Sequence, residues 1–158
     1  MQDIYRQTAQ ELSEVSLQTH SQLCLKVTSP SMAPLLRPGD QIVVQATEVS
    51  AIKRGDLVLT RREEGFLTHR LVVIDSKGWH TKGDRNRIAD APVAVPAILG
   101  LVISIERDGK LRSLRTRHHL FLARMHGWLG WKEITSHRWI GTWFAHLASR
   151  LLQTIYHL

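Results

Sequence analysis

Cysteine is almost missing from this chain of 158 residues: Cys24 is the only one, so no disulfide forms within it and nothing calls for an oxidising compartment. Long apolar runs are missing too. The longest charge-free stretch near the middle, residues 91–105, contains Pro92 and Pro96 and falls short of the ~20 residues that a membrane-crossing helix needs. No basic segment followed by an apolar core and a cleavage site opens the chain, so no signal peptide is expected. Repeats and low-complexity stretches are absent. What is present is a 43% hydrophobic composition over a length that suits one domain with a real core and hardly two, which excludes general disorder.

Acidic residues run out toward the end. Residues 1–105 carry 12 Lys and Arg against 11 Asp and Glu, whereas residues 106–158 carry 9 against 3, with six of the nine histidines and four of the five tryptophans. The net charge of +7 is therefore a property of the tail, and a basic tail points to an anionic partner such as lipid headgroups or nucleic acid.

The periodicity divides the chain into three parts. Residues 1–22 contain an amphipathic helix over residues 3–19, with Ile4, Thr8, Leu12, Val15 and Thr19 at helical spacing. Residues 23–114 read as a compact, mainly β body. Leu23, Leu25 and Val27 alternate as a first strand, and further strands are expected over residues 41–45, 57–61, 66–74, 79–82 and 98–106. Glycine-containing turns at 53–56, 63–65, 75–78 and 107–110 separate them. Residues 115–158 form a basic, Trp-rich helical tail, with helices expected over 115–131 and 138–156. That tail reads either as a helical subdomain packed on the body or as an interfacial membrane helix, with Trp at the boundary and basic residues toward the headgroups. Nothing in it forms a recognisable nucleic-acid motif.

Three polar features stand out from these surroundings. Thr28-Ser29-Pro30-Ser31-Met32-Ala33-Pro34 is a proline-rich turn between strands that displays a hydroxyl. Leu67-Thr68-His69-Arg70-Leu71 sets a histidine inside an apolar strand. Thr81-Lys82-Gly83-Asp84-Arg85-Asn86-Arg87-Ile88-Ala89-Asp90 is a glycine-containing loop with two aspartates. Each has an ordinary reading when taken singly: a capped turn, a core histidine, and a solvated loop with Asp84 paired to Arg85 or Arg87. Together they supply what nucleophilic catalysis requires. A serine hydroxyl needs a base to take its proton, a histidine titrates where that is useful, and a carboxylate on the far ring nitrogen fixes the tautomer.

These segments, with Lys53-Arg54-Gly55-Asp56-Leu57-Val58 between the first two, resemble in order the boxes of the signal peptidase I and LexA-like serine proteases, over roughly residues 23–106. The bacterial signal peptidases and LexA-type repressors have a lysine as general base. His69 at that position is similar instead to the catalytic subunit of the endoplasmic-reticulum and archaeal signal peptidases. The resemblance implies a compact β-fold of that type and a serine endopeptidase acting on a protein or peptide substrate, cutting after small residues of a leader or membrane-proximal segment, without cofactor or metal. It implies Ser31 as nucleophile, His69 as general base and Asp90 as supporting acid, with Asp84 the second candidate. Ser29 matches a position whose hydroxyl assists the backbone N–H of Ser31 in the oxyanion hole, and Met32 one beside the substrate cleft. Lys82 and Arg70 read as structural.

The family's signal peptidases have a transmembrane helix before the serine box, whereas this chain has only the amphipathic one. Ala89 also replaces the acid that precedes Asp90 in the related loop. The expected location is the cytoplasm, with the tail as a peripheral contact to a membrane. Two other readings stay open: a catalytically silent peptide-binding or regulatory module of the same fold, and LexA-type self-processing. No Ala-Gly or Cys-Gly bond lies in an N-terminal hinge, so an intact chain is expected on ageing.

Overall fold

The computed structural model describes residues 11, 13–17, 19–116, 123–125 and 128. Seven antiparallel strands form one sheet: β1 (Gln22–Lys26), β2 (Gln41–Gln45), β3 (Leu57–Arg62), β4 (Gly65–Asp75), β5 (Gly78–Lys82), β6 (Ile98–Arg107) and β7 (Lys110–Ser113). Their order is β1-β2-β6-β3-β4-β5, with β7 on β6. The mainly β expectation holds, and the six expected strands occur within a residue or two of their limits. The seventh, β7, has no counterpart in the pattern. Lys110-Leu111-Arg112-Ser113 has no apolar alternation and is mostly exposed. It is a strand because the Asp108-Gly109 turn folds it back onto the end of β6, with Arg107 opposite Lys110.

β6 is the axis of the sheet. One edge takes β2, and the other is shared by β3 at residues 98–101 and β7 at residues 104–107. β4 lies between β3 and β5, paired with β3 along residues 65–70 and with β5 along residues 70–75 on its opposite edge. Register shifts at Val43/Val44, Leu59/Thr60 and Leu71/Val73 mark bulges, which bend and twist a sheet. The bent sheet buries both faces. Leu57 and Leu59 join Met32, Leu36, Ile42, Val44, Val102 and Ile105 in one core, while Val58 joins Ile52, Leu71, Trp79, Ile98 and Leu101 in a second. Each such side chain contributes about 1.5–3 kcal/mol when fully buried. That two-sided burial is why β3 reads as a continuous apolar run instead of an alternation.

Residues 13–17 are helical, and Glu14 bonds Arg61 of β3 at 2.7 Å. The expected stripe is out of phase with the contact. Leu17 is the buried side chain, while Val15 and Thr19 face outward. Val15 and Leu17 are two residues apart and so lie on opposed faces of a helix, and the threonines used to draw the stripe carry little apolar weight. Residues 3–10, 12 and 18 of that expected helix lie outside the described residues, as does the expected helix over 138–156. Of the expected helix over 115–131, residues 115 and 116 are not helical and 123–125 and 128 are. Residue 123 packs on the body at Gly55, where a Cβ would collide with the Ala123 carbonyl. With φ of +95°, Gly55 also holds a backbone conformation that disfavours any other residue. Among the described residues no helix is long and apolar enough to cross a membrane.

Candidate active site

The serine turn is the connection between β1 and β2. Val27 N–H donates to the Asp40 carbonyl at 2.8 Å and Gly39 N–H to the Val27 carbonyl at 2.9 Å, which closes the base of the connection. Within it Pro30–Met32 makes one 3₁₀ turn with proline at its start, where a missing N–H costs nothing. Asp40 locks the far side. Its Oδ2 accepts from Arg37 N–H at 2.7 Å, and Arg107 at the end of β6 grips both of its oxygens at 2.8 and 2.7 Å. Burial pushes the Asp40 carboxyl up, but the bonds from Arg107 and Arg37 outweigh it and hold it below its ordinary range. Ser31 is thus displayed from a turn anchored at both ends.

His69 lies on β4 opposite Val58 and is only 3% exposed. Its Nε2 is 2.9 Å from Ser31 Oγ, and its Nδ1 is 2.6 Å from Asp90 Oδ2. Asp90 follows β5 in a loop pinned at both ends. Asp90 N–H donates to the Thr81 carbonyl at 2.8 Å, and Trp79 and Val93 exchange backbone bonds at 2.9 Å beyond it. Arg85 N–H donates to the Ser31 carbonyl at 2.9 Å, tying the loop to the serine turn. Gly83 lets the loop come this close: a Cβ there would stand 3.0 Å from His69 Nε2 and 2.9 Å from the Asn86 carboxamide.

The polarity of these bonds follows from the groups. An ionised carboxylate only accepts, so Nδ1 carries the proton and Nε2 of the neutral ring is left to accept from the Ser31 hydroxyl. Burial works against the Asp90 carboxylate. Hydrogen bonds from His69 and Thr81, with the electrostatic pull of the His69 ring and of the Arg62 charge, outweigh it and keep the carboxyl below its ordinary range.

Of the residues singled out in the sequence, Ser31, His69 and Asp90 therefore come together. Ser29 is adjacent, its Oγ accepting from Ser31 N–H at 3.3 Å. Asp84 does not reach His69. It takes the guanidinium of Arg70 in a two-pronged pair, Nε to Oδ1 at 2.8 Å and Nη2 to Oδ2 at 2.6 Å, while Arg70 Nη1 donates to the Gly55 carbonyl at 2.7 Å. Neighbouring residues of a strand point to opposite faces, so His69 and Arg70 each receive their own aspartate. Arg70 is a partner for Asp84 that the sequence pattern did not offer. Met32, expected beside the cleft, turns inward: it is 2% exposed and belongs to the first core, which leaves it a packing role. Two contributors were given no role by the sequence, although Thr81 opens the polar loop singled out there. Thr81 is fully buried and donates to Asp90 Oδ2 at 2.6 Å, and Arg62 bonds the Ala91 carbonyl at 3.0 Å. Among the described residues no group of three or more His, Cys, Asp or Glu is placed to hold a metal ion.

No curated protein matches the chain. The family model described as Peptidase S24-like matches residues 2–94, a span that holds Ser31, His69 and Asp90 and more than half of the sequence. The order of the boxes, the bent β sheet and this match agree, and the chain belongs to the Peptidase S24-like family, of the LexA and signal peptidase type.

Proposed function

We propose that the protein is a serine endopeptidase in which Ser31 is the nucleophile, His69 the general base and Asp90 the acid that orients it. One observation carries the reading: the two consecutive bonds from Ser31 Oγ to His69 Nε2 and from His69 Nδ1 to Asp90. As Oγ attacks the scissile carbonyl, Nε2 takes its proton, and the imidazolium is held by the Asp90 carboxylate. The donors for the negative charge that develops on the carbonyl oxygen are the Ser31 N–H, which turns to it from Ser29 Oγ, and the Ser29 hydroxyl. Losing one such donor typically costs about 10²–10³ in rate. Nε2 returns its proton to the departing amine, and a water deprotonated by the same nitrogen then releases the acyl group from Ser31.

A histidine base makes the chain similar to the endoplasmic-reticulum and archaeal signal peptidases within the wider family. That likeness favours an extended protein or peptide substrate cut after small residues, at a leader or membrane-proximal site. The basic tail is read as a peripheral membrane contact of a protein working from the cytoplasm.

A fluorophosphonate probe tests the proposal, because only an activated serine attacks its phosphorus and displaces fluoride. Wild type is expected to be labelled at Ser31, and Ser31→Ala and His69→Ala are expected to stay unlabelled while melting as wild type does. An unlabelled, folded wild type would leave the silent binding module as the reading.

A further inference from the structure

A partly buried polar chain continues past Asp90. Thr81, fully buried on β5, donates its hydroxyl to the same Asp90 oxygen that His69 uses, at 2.6 Å. Arg62, at the end of β3, reaches the Thr81 hydroxyl oxygen with Nη2 at 3.4 Å and the carbonyl of Ala91, the residue after Asp90, with Nη1 at 3.0 Å. Direction along this chain is fixed. A guanidinium only donates and a carboxylate only accepts, so the one hydrogen of Thr81 is sent to Asp90. The Arg62 Nε is buried without a hydrogen-bond partner, so this arginine is held in place despite a desolvation penalty.

We infer that Thr81 and Arg62 are positioning residues of the Ser31–His69–Asp90 site, which set where the Asp90 carboxylate stands and how strongly it holds the His69 ring. The inference rests on the hydrolase reading for its catalytic meaning, although its electrostatic content stands apart from turnover. The groups that face Asp90 are His69 from β4, Arg62 from β3 and the Thr81 hydroxyl from β5. Arg62 and Thr81 both favour the carboxylate over the acid. Removing either one raises the proton affinity of the coupled His69–Asp90 pair, so the acid side of any profile that needs the pair unprotonated moves to higher pH. A residue that only supported the fold would lower activity at every pH and leave that limb in place.

The test is the pH dependence of fluorophosphonate labelling in wild type, Thr81→Val, Thr81→Ser and Arg62→Gln, with folding followed by thermal melting. Thr81→Val is expected to slow labelling roughly tenfold, the worth of one hydrogen bond to a charged group, and to move the acid limb up by about one pH unit. Thr81→Ser keeps the hydroxyl and is expected to restore both. Arg62→Gln is expected to move the limb the same way by less, and it decides the matter if Thr81→Val does not fold. An acid limb unmoved in the folded variants overturns the inference, whatever happens to the rate. An unlabelled wild type overturns the hydrolase reading alone. The ¹³C titration of the Asp90 carboxyl, which needs no turnover, then decides: upward in Thr81→Val and Arg62→Gln supports the inference, and an unchanged titration ends it.

Discussion

His69 and Arg70 are neighbours on β4, both are buried, and each is met by an aspartate from the loop after β5, yet the two pairs are built differently. All three nitrogens of the Arg70 guanidinium have acceptors. Asp84 takes Nε and Nη2, and the Gly55 carbonyl takes Nη1. His69 spends one ring nitrogen on Asp90 and offers the other to a partly exposed hydroxyl. The first arrangement fixes a charge where nothing else reaches it, as a buried structural ion pair does. The second leaves a lone pair aimed at a group that substrate could reach. Equal burial and equal loop origin therefore do not make equal roles; what differs is whether the last bond goes to a fixed group or to a hydroxyl that substrate could reach.

That contrast is broken most sharply by treating the two aspartates alike. Asp90→Asn is expected to slow labelling of Ser31 by roughly 10³–10⁴-fold, because an amide at Nδ1 permits the wrong tautomer, with little change in melting. Asp84→Asn is expected to do the reverse. It leaves Arg70 buried and poorly paired, which costs about 3–5 kcal/mol of stability by denaturant titration, while each molecule that remains folded labels near the wild-type rate. If both substitutions gave the same pattern, the distinction between the pairs would be lost.

Gly83 sharpens the comparison, since it lies next to Asp84 in sequence and next to His69 in space. Gly83→Ala places a methyl 3.0 Å from His69 Nε2. Its expected effect is a drop in labelling of about tenfold, from an off-rotamer ring or a displaced loop, with a smaller loss of stability. The smallest effect belongs to Asp40, which holds the far end of the serine turn. Its folded-state carboxyl lies below the ordinary range, so its contribution is present above the usual carboxylate pKa and is lost as pH falls through the lowered one. Asp40→Asn is expected to cost about 1–2 kcal/mol near neutrality and to flatten the acid loss of stability seen in wild type, by melting across pH.

Some of this was legible from residue order. The alternation in Leu23, Leu25 and Val27, the apolar runs of β3 and β6 and the glycine turns mark the strands. A histidine within Leu67–Val72, with two aspartates in one polar loop, marks where polar groups are out of keeping with their neighbours. Which aspartate goes to which base was not legible, because both lie within one short loop and either is long enough to reach. Nor were the inward turn of Met32, the burial of Leu17 in place of Val15, or the Thr81 hydroxyl. Each depends on which face a neighbouring element covers.

The sequence by itself determined a β body of closely spaced hairpins, a rigid serine turn between the first two strands, and a basic tail, since periodicity, turn chemistry and charge are local properties of the chain. Only the tertiary structure decided the rest. β4 is held between β3 and β5, with a bulge at Leu71/Val73 just beyond His69 and Arg70. The pleat sends His69 and Arg70 to opposite faces, and the loop carrying Asp84 and Asp90 is tied back to Ser31 through Arg85. Contacts between residues 21 and 38 positions apart, as from His69 to Asp90 and to Ser31, exist because strands far apart in sequence pack into one sheet.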